Sequence, residues 1–285
     1  MMKARLLATL ETACMTLSAF AQDFSKVEIK THNVSGDVYM LEGYGGNIGV
    51  LSTSKGLLLV DDQFQGLAEK IEQAMQSIND QPLKYVVNTH YHGDHTGSNS
   101  YFSHKAPIFA HENVRERLAN KKEPNKDELP VVTYDNGVNI YLDSEHIQLR
   151  HFPTGHTDGD TVVYFKQANV IHTGDLFFNG RFPYIDLKGG GNVKGYLKSV
   201  NTIISEYPAD AAIIPGHGNI TNIEGYKTFA AMLEYSIKRV ETALAQGKSE
   251  EDILAMGIGE KYKDYSWAFI SEERWLKTLV AGLGK

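Results

Sequence analysis

The stretch Thr89-His90-Tyr91-His92-Gly93-Asp94-His95-Thr96-Gly97 constrains this chain more than any other part of it. Four side chains able to ligate a metal, His90, His92, Asp94 and His95, fall within six residues. They directly follow Leu83-Lys84-Tyr85-Val86-Val87-Asn88, a run apolar and β-branched enough to read as a buried strand. Ligands at this spacing cannot share one helix face. The segment therefore reads as a loop whose curvature points several side chains into one volume. Imidazole together with carboxylate suits zinc and its neighbours manganese and iron. A solvated polar loop accounts for a lone His, or even a single His-x-His, but not for this density of ligands.

The 285 residues, 42% hydrophobic and 22% charged, describe an ordinary globular chain with enough length for a sizeable core. A formal net charge of -7 argues against a nucleic-acid partner held by phosphate neutralisation. No apolar run is long enough to span a bilayer. The N-terminus reads as an export signal over residues 1–21. Lys3 and Arg5 form a basic start, Leu6 to Phe20 is mostly apolar or small, and Ala19-Phe20-Ala21 fits a small-x-small cleavage site before Gln22. The expected location is periplasmic or secreted. Cys14, the only cysteine, would leave with the signal. The mature chain then has no disulfide, thiolate ligand or thiol nucleophile, which excludes Cys-His hydrolases.

Taken in order, strands are expected at Lys26–His32, Val38–Leu41, Ile48–Leu51 and Leu57–Val60, the last ending at Asp61-Asp62. The glycines of Gly43-Tyr44-Gly45-Gly46 precede a strand rather than a helix, which points to a flap and not to a phosphate loop. Gly66–Ile78 has helical spacing, and a short strand at 107–110 and a polar helix at 112–120 follow the ligand-rich loop. Lys121–Glu128 reads as a solvated loop. Strands at 138–142, 147–152, 161–165, 170–172 and 211–214 fill the second half, with a helix at 193–207 and a mainly helical remainder from Asn222 to Leu283.

Three of these strands run into further glycine-framed ligands: Gly155-His156-Thr157, Gly174-Asp175 and Pro215-Gly216-His217-Gly218. Two mixed halves that each supply ligands from strand ends suggest two sheets face to face with helices outside. No compositional linker divides the halves. The expectation is one domain over 22–285, with 222–285 a helical C-terminal extension.

The motif set His90-x-His92-x-Asp94-His95, Gly155-His156-Thr157, Gly174-Asp175 and Pro215-Gly216-His217-Gly218 resembles that of the metallo-β-lactamase superfamily, in order and in spacing, over roughly residues 38 to 218. The resemblance implies an α/β (α+β type) fold, the αββα four-layer sandwich, with a two-metal site along one sheet edge. It gives His90, His92 and His156 to one ion, Asp94, His95 and His217 to a second, and Asp175 to both. Two Zn²⁺ are expected, with Mn²⁺ or Fe²⁺ as alternatives. A hydroxide bridging the ions would attack a carbonyl, and Asp94 would orient it or relay a proton. Asp at 175 and His at 95 resemble the ester-, lactone- and thioester-cleaving branches more than those with Cys or Ser at position 175.

The expected activity is therefore an exported binuclear zinc hydrolase of small acyl compounds: a β-lactam, lactone, ester or thioester. A phosphodiester or sulfate-ester hydrolase, or a non-catalytic metal-binding module, are the alternatives. Arg181 is a candidate for a substrate carboxylate, Tyr184 for an oxyanion, and Tyr44 for the flap; the alternative for the 177–186 segment is an aromatic-packed connection. Asp61 and His172 are candidates to hydrogen-bond a ligand from behind. His32, His104, His111, His146 and His151 have no partner motif. Oligomeric state is not legible.

Overall fold

The computed structural model describes residues 23–284, so the export signal assigned to residues 1–21 lies outside the described residues. The first half forms a seven-stranded sheet in sequence order: β1 (Lys30–Ser35), β2 (Val38–Glu42), β3 (Ile48–Thr53), β4 (Gly56–Val60), β5 (Leu83–Val87), β6 (Ile108–His111) and β7 (Val132–Tyr134). The first four strands are antiparallel neighbours, and β4 to β7 are parallel. Helices α1 (Ala68–Ile78), α2 (Gly93–Thr96), α3 (Asn99–Phe102) and α4 (Glu112–Ala119) lie in the connections of that parallel part.

The second sheet contains β8 (Gly137–Leu142), β9 (Glu145–His151), β10 (Thr161–Phe165), β11 (Val170–His172), β12 (Ala212–Ile214) and β13 (Thr221–Asn222), in spatial order β13-β12-β11-β10-β9-β8. Helix α5 (Val193–Glu206) crosses between the parallel strands β11 and β12. Helices α6 (Ile223–Ala245), α7 (Glu250–Met256) and α8 (Glu272–Leu283) complete the described chain. Side-chain caps start these helices: Asn192 accepts from Gly195 N, Asn222 from Glu224 N and Gly225 N, and Ser271 from Arg274 N.

Alternation along β4 explains why the layers stack as they do. Leu58 and Val60 point into the space between the sheets, where they meet Ile147, Leu149, Val163 and Phe165. Leu57 and Leu59 point the other way, against Leu67, Ile71 and Met75 around α1. A strand buried on both faces needs an unbroken apolar run, and Leu57-Leu58-Leu59-Val60 supplies it. The outer face of the second sheet packs Val162, Ile171 and Ile213 under α5, α6 and α8. Helix, sheet, sheet and helix layers follow, which is the αββα sandwich.

Differences from the sequence expectation have local causes. The first strand begins at Lys30, not Lys26, because the Lys70 ammonium takes the carbonyls of Phe24, Ser25 and Val27 at 2.9, 2.8 and 2.7 Å and holds that segment off the sheet. The expected ligand loop contains one helical turn, α2, in which His92 O accepts from the amides of His95 and Thr96, both at 3.0 Å. Among the described residues, no helix is long and apolar enough to cross a membrane.

Residues beyond 222 are part of the same core as the second sheet. Trp275 is 0% exposed and stacks on Phe182 at 6.0 Å, so the last helix closes the cover over β11 and β12. Trp275→Ala should cost about 3–5 kcal/mol by chemical denaturation; a loss below about 1 kcal/mol would mean that α8 is a dispensable appendage.

Candidate metal centre

The two sheets bring their ligand-bearing strand ends to one edge. Strands β9 and β11 are both antiparallel to β10, and β12 is parallel to β11, so all three end on the same side. His156, Asp175 and His217 follow those ends. Across from them, Thr89 O accepts from Thr161 N at 2.8 Å and ties the loop after β5 to the second sheet. Backbone bonds fasten the Asp175 and His217 turns to each other and to the glycine loop of the first sheet: Gly216 N donates to Gly174 O at 2.9 Å, and Asn47 N to Gly216 O at 2.7 Å. Glycine is required at two of these contacts. A Cβ on Gly216 would collide with Asp175 Oδ1, and one on Gly46 would collide with the His95 ring.

The seven expected ligands all meet there, in two groups. In the first, His90 Nε2 and His156 Nε2 approach His92 Nδ1 at 3.1 and 2.8 Å. In the second, His217 Nε2 lies 3.4 Å from Asp94 Oδ2, and His95 Nε2 lies 3.7 Å from it. Asp175 spans the two. Its Oδ2 faces His156 at 3.4 Å and His90 at 3.8 Å, and its Oδ1 faces His95 at 3.1 Å and His217 at 3.3 Å. The ligand atoms within each group, with Asp175 counted in the first, lie within 4.8 Å of one another.

Four of the five imidazoles, those of His90, His92, His95 and His156, have the outward nitrogen tied to an oxygen, which aims the other lone pair at the cluster. His92 Nε2 donates to Asp186 Oδ2 at 3.1 Å, His156 Nδ1 to Tyr184 O at 2.7 Å, and His95 Nδ1 to Asp61 Oδ2 at 2.7 Å. Thr89 Oγ1 lies 3.1 Å from His90 Nδ1 and itself donates to Asp61 Oδ2 at 2.7 Å. Asp61, 1% exposed and at φ 62, also accepts from Thr89 N at 2.7 Å, so one carboxylate in a left-handed backbone organises two ligands. His172 supports the frame instead of a ligand, accepting from Gly174 N at 3.2 Å and contacting Asn47 O at 3.1 Å.

This arrangement fits divalent cations. Two buried atoms aimed into the cluster, His95 Nε2 and Asp175 Oδ1, have no hydrogen-bond partner. Burial keeps His90 well below the usual imidazole range and brings His156 down to about 4, so both present neutral lone pairs. Burial would do the same to His95 and His217, but the Asp175 and Asp94 carboxylates outweigh it and raise His95 well above its ordinary range and His217 to about 9. Burial is likewise outweighed at Asp175, which the imidazoles of His217, His95 and His156 hold ionised. Without cations, the cluster balances its carboxylates with protons.

A cavity of about 890 Å³ opens onto the cluster, exposing His92, Asp94, Asp175 and His217. Tyr44, Arg181 and Tyr184 all line it. The glycine loop around Tyr44 is anchored, not loose: Gly46 N donates to Asp94 O at 3.3 Å and Gln63 Nε2 donates to Gly46 O at 2.5 Å. Further lining residues include Phe64, Asp186 at the end of the 177–186 segment, and Trp267 and Phe269, two C-terminal aromatics whose sequence context suggests only packing of the last helices. Asp186 is held ionised by its hydrogen bond with His92, partly offset by burial, and by the bond from Tyr91. Among the unassigned histidines, His111 and His151 stack on each other at 3.7 Å, away from the cluster.

Comparison with known proteins agrees with this geometry. A family model described as Metallo-beta-lactamase superfamily matches residues 41–217. The chain is 27% identical over 180 residues to Metallo-beta-lactamase IND-1 of Chryseobacterium indologenes, covering 61% of this chain and 72% of that protein. It is 29% identical over 170 residues to Hydroxyacylglutathione hydrolase GloC of Haemophilus influenzae, covering 55% and 79%. The solved structure of a metallo-beta-lactamase from Pontibacter korlensis superposes with a TM-score of 0.64 at 19% identity, covering 73% of this chain and 99% of that one.

Two outcomes follow from the charge balance and the outward ties. His217, at about 9, still carries its proton at neutral pH, and a cation must displace it. Zinc affinity should therefore rise with pH up to about 9, and calorimetry in buffers of different ionisation enthalpy should register proton release; pH-independent uptake contradicts this charge balance. Asp186→Ala should weaken binding of the ion held by His92 about 10–100-fold in competition with a chromogenic chelator, whereas unchanged affinity would reduce the Asp186–His92 contact to packing.

Proposed function

This chain belongs to the metallo-beta-lactamase superfamily and is a metal-dependent hydrolase, and from that premise we propose an exported, zinc-dependent enzyme that cleaves small acyl compounds. The observation that carries the proposal is Asp175, whose two oxygens face two separate groups of imidazoles. His90, His92 and His156 would hold one ion, Asp94, His95 and His217 the other, and Asp175 both. Bound divalent ions supply Lewis-acid polarisation of a carbonyl and lower the pKa of water to about 7.

The chain's own residues then have distinct tasks. Asp94 has the most exposed side chain of the ligand set at 27%, and although burial pushes the other way, His95 and His217 hold it ionised. Its carboxylate is positioned to take a proton from the attacking water and return it to the leaving atom. Tyr184 is raised above the ordinary phenol range by burial, so it keeps its proton and serves as a donor toward a developing oxyanion. Tyr44, at 43% exposure, stands at the cavity mouth against Phe24 and Phe64 and screens the cluster from bulk water. Arg181 is the substrate's electrostatic anchor.

Support for an acyl substrate comes from the relatives, one named a metallo-beta-lactamase and another a hydroxyacylglutathione hydrolase. We take residues 22–285 as one domain, released by cleavage after Ala21. The test uses secreted protein whose first residue is checked by N-terminal sequencing and whose zinc content is measured. One lactam, one lactone, one thioester and one phosphodiester are assayed. Turnover is expected among the carbonyl compounds, and Asp94→Ala should lower kcat/KM by about 10²–10⁴. Cleavage of the phosphodiester alone would overturn the acyl reading, and an Asp94→Ala enzyme with full activity and full zinc would remove Asp94 from the mechanism.

A further inference from the structure

We infer that Arg181, Trp267 and Phe269 form a subsite for a substrate that carries a planar aromatic group beside a carboxylate. The inference rests on the hydrolase reading in one respect, that the bound molecule is a substrate.

The wall of the cavity formed by Trp267-Ala268-Phe269 comes from the segment just before α8, beyond the family match that ends at residue 217. It is nevertheless built tightly against the centre. Trp267 Nε1 donates to Phe182 O at 2.9 Å, Phe182 N donates to Tyr265 O at 2.9 Å, and Trp267 N donates to Ile270 O at 3.1 Å. The two bonds to Phe182 tie the wall to the turn that follows Asp175, and the third closes the wall's own turn. The indole ends 5.5 Å from the His217 ring. Phe269 extends the wall, 5.7 Å from Trp267 and 5.5 Å from Tyr184, and Arg274 backs it at 4.2 Å.

Phe269 is 48% exposed on the cavity wall. The large hydrophobic side chains exposed among the described residues include just two that line this cavity, Phe269 and Tyr44. An apolar ring left open toward a concave site is a contact surface for a ligand more than a gap in packing.

Arg181 supplies the charge. Its guanidinium stacks over Trp267 at 5.1 Å. Among the described residues every other arginine side chain has a polar partner: Arg115 at Pro130 O, Arg117 at Asp158, Arg150 at Glu206, Arg239 at Gly257 O and Arg274 at Phe269 O. Arg181 alone has none, so its planar donors are free to engage a carboxylate through two parallel bonds. Among the described residues Arg181 is the one arginine or lysine lining the cavity, and one such charge suits a monoanion better than a doubly charged phosphate. Because this cation lies on the same indole that would stack a ring, carboxylate and aromatic group must be close together in the ligand, with the acyl carbon reaching toward Asp94 and His217.

The experiment is binding to the zinc-loaded protein of three probes that cannot be hydrolysed: 3-phenylpropanoate, 3-phenylpropanol and acetate. The two tryptophans are Trp267 and Trp275, and Trp275 is fully buried, so a fluorescence change reports Trp267. The carboxylated aromatic probe should bind at least about tenfold tighter than either partial probe and perturb the emission, a change absent in Trp267→Phe. Arg181→Ala should weaken 3-phenylpropanoate about 10–100-fold and leave 3-phenylpropanol unaffected; Arg181→Lys, which keeps the charge without the fork, should show an intermediate loss. Three probes of equal affinity, or 3-phenylpropanoate binding indifferent to both Arg181 variants, would overturn the subsite. Arg181-dependent binding without turnover of any acyl compound would keep the subsite and overturn the acyl reading, and turnover with Arg181-independent binding would do the reverse.

Discussion

Nitrogen lone pairs that face one another at 2.8 and 3.1 Å, beside two carboxylates, are the constraint on which the rest of this structure depends. Buried acceptors without donors are costly, and nothing apolar can be substituted for them here without losing the centre. The protein answers from outside the cluster. Asp186, Tyr184 O and Asp61 each take the outward N–H of an imidazole, and Asp61 works from a backbone conformation that few residues tolerate. Positive charge inside, whether protons on His95 and His217 or divalent ions, then completes the balance.

Two sheets, and not one, make the arrangement attainable. The first sheet contributes His90, His92, Asp94 and His95 from a single excursion after β5; the second contributes His156, Asp175 and His217 from three strands that end on the same side. The apolar layer between the sheets, with Leu58 and Val60 on one side and Val163 and Phe165 on the other, sets the distance at which the two edges meet. A shift of one residue in either register would turn the ligands away.

Much of this was legible in the sequence because the chemistry is concentrated in short, glycine-framed motifs directly after apolar runs. Strands β2 to β5, the helix α1 and two facing sheets could be read from apolar patterning and strand order, and the αββα sandwich and the seven clustered side chains from the resemblance that the motifs carry. What stayed illegible depends on distant pairing. Nothing near Asp186 distinguishes it from any turn carboxylate until the fold sets it against His92, and Trp267 meets His217 across fifty positions of chain. The start of β1 was misplaced for a similar reason, since Lys70, far along the chain, claims the carbonyls of the segment that precedes it. The helical turn of α2 escaped because a four-residue element has no period to detect.

The tie between the Trp267 wall and the turn after Asp175 consists of main-chain groups and one indole N–H, not of the ligands themselves. Exchange of Phe269 or its neighbours would therefore reshape the cavity wall without breaking any hydrogen bond to the seven clustered side chains.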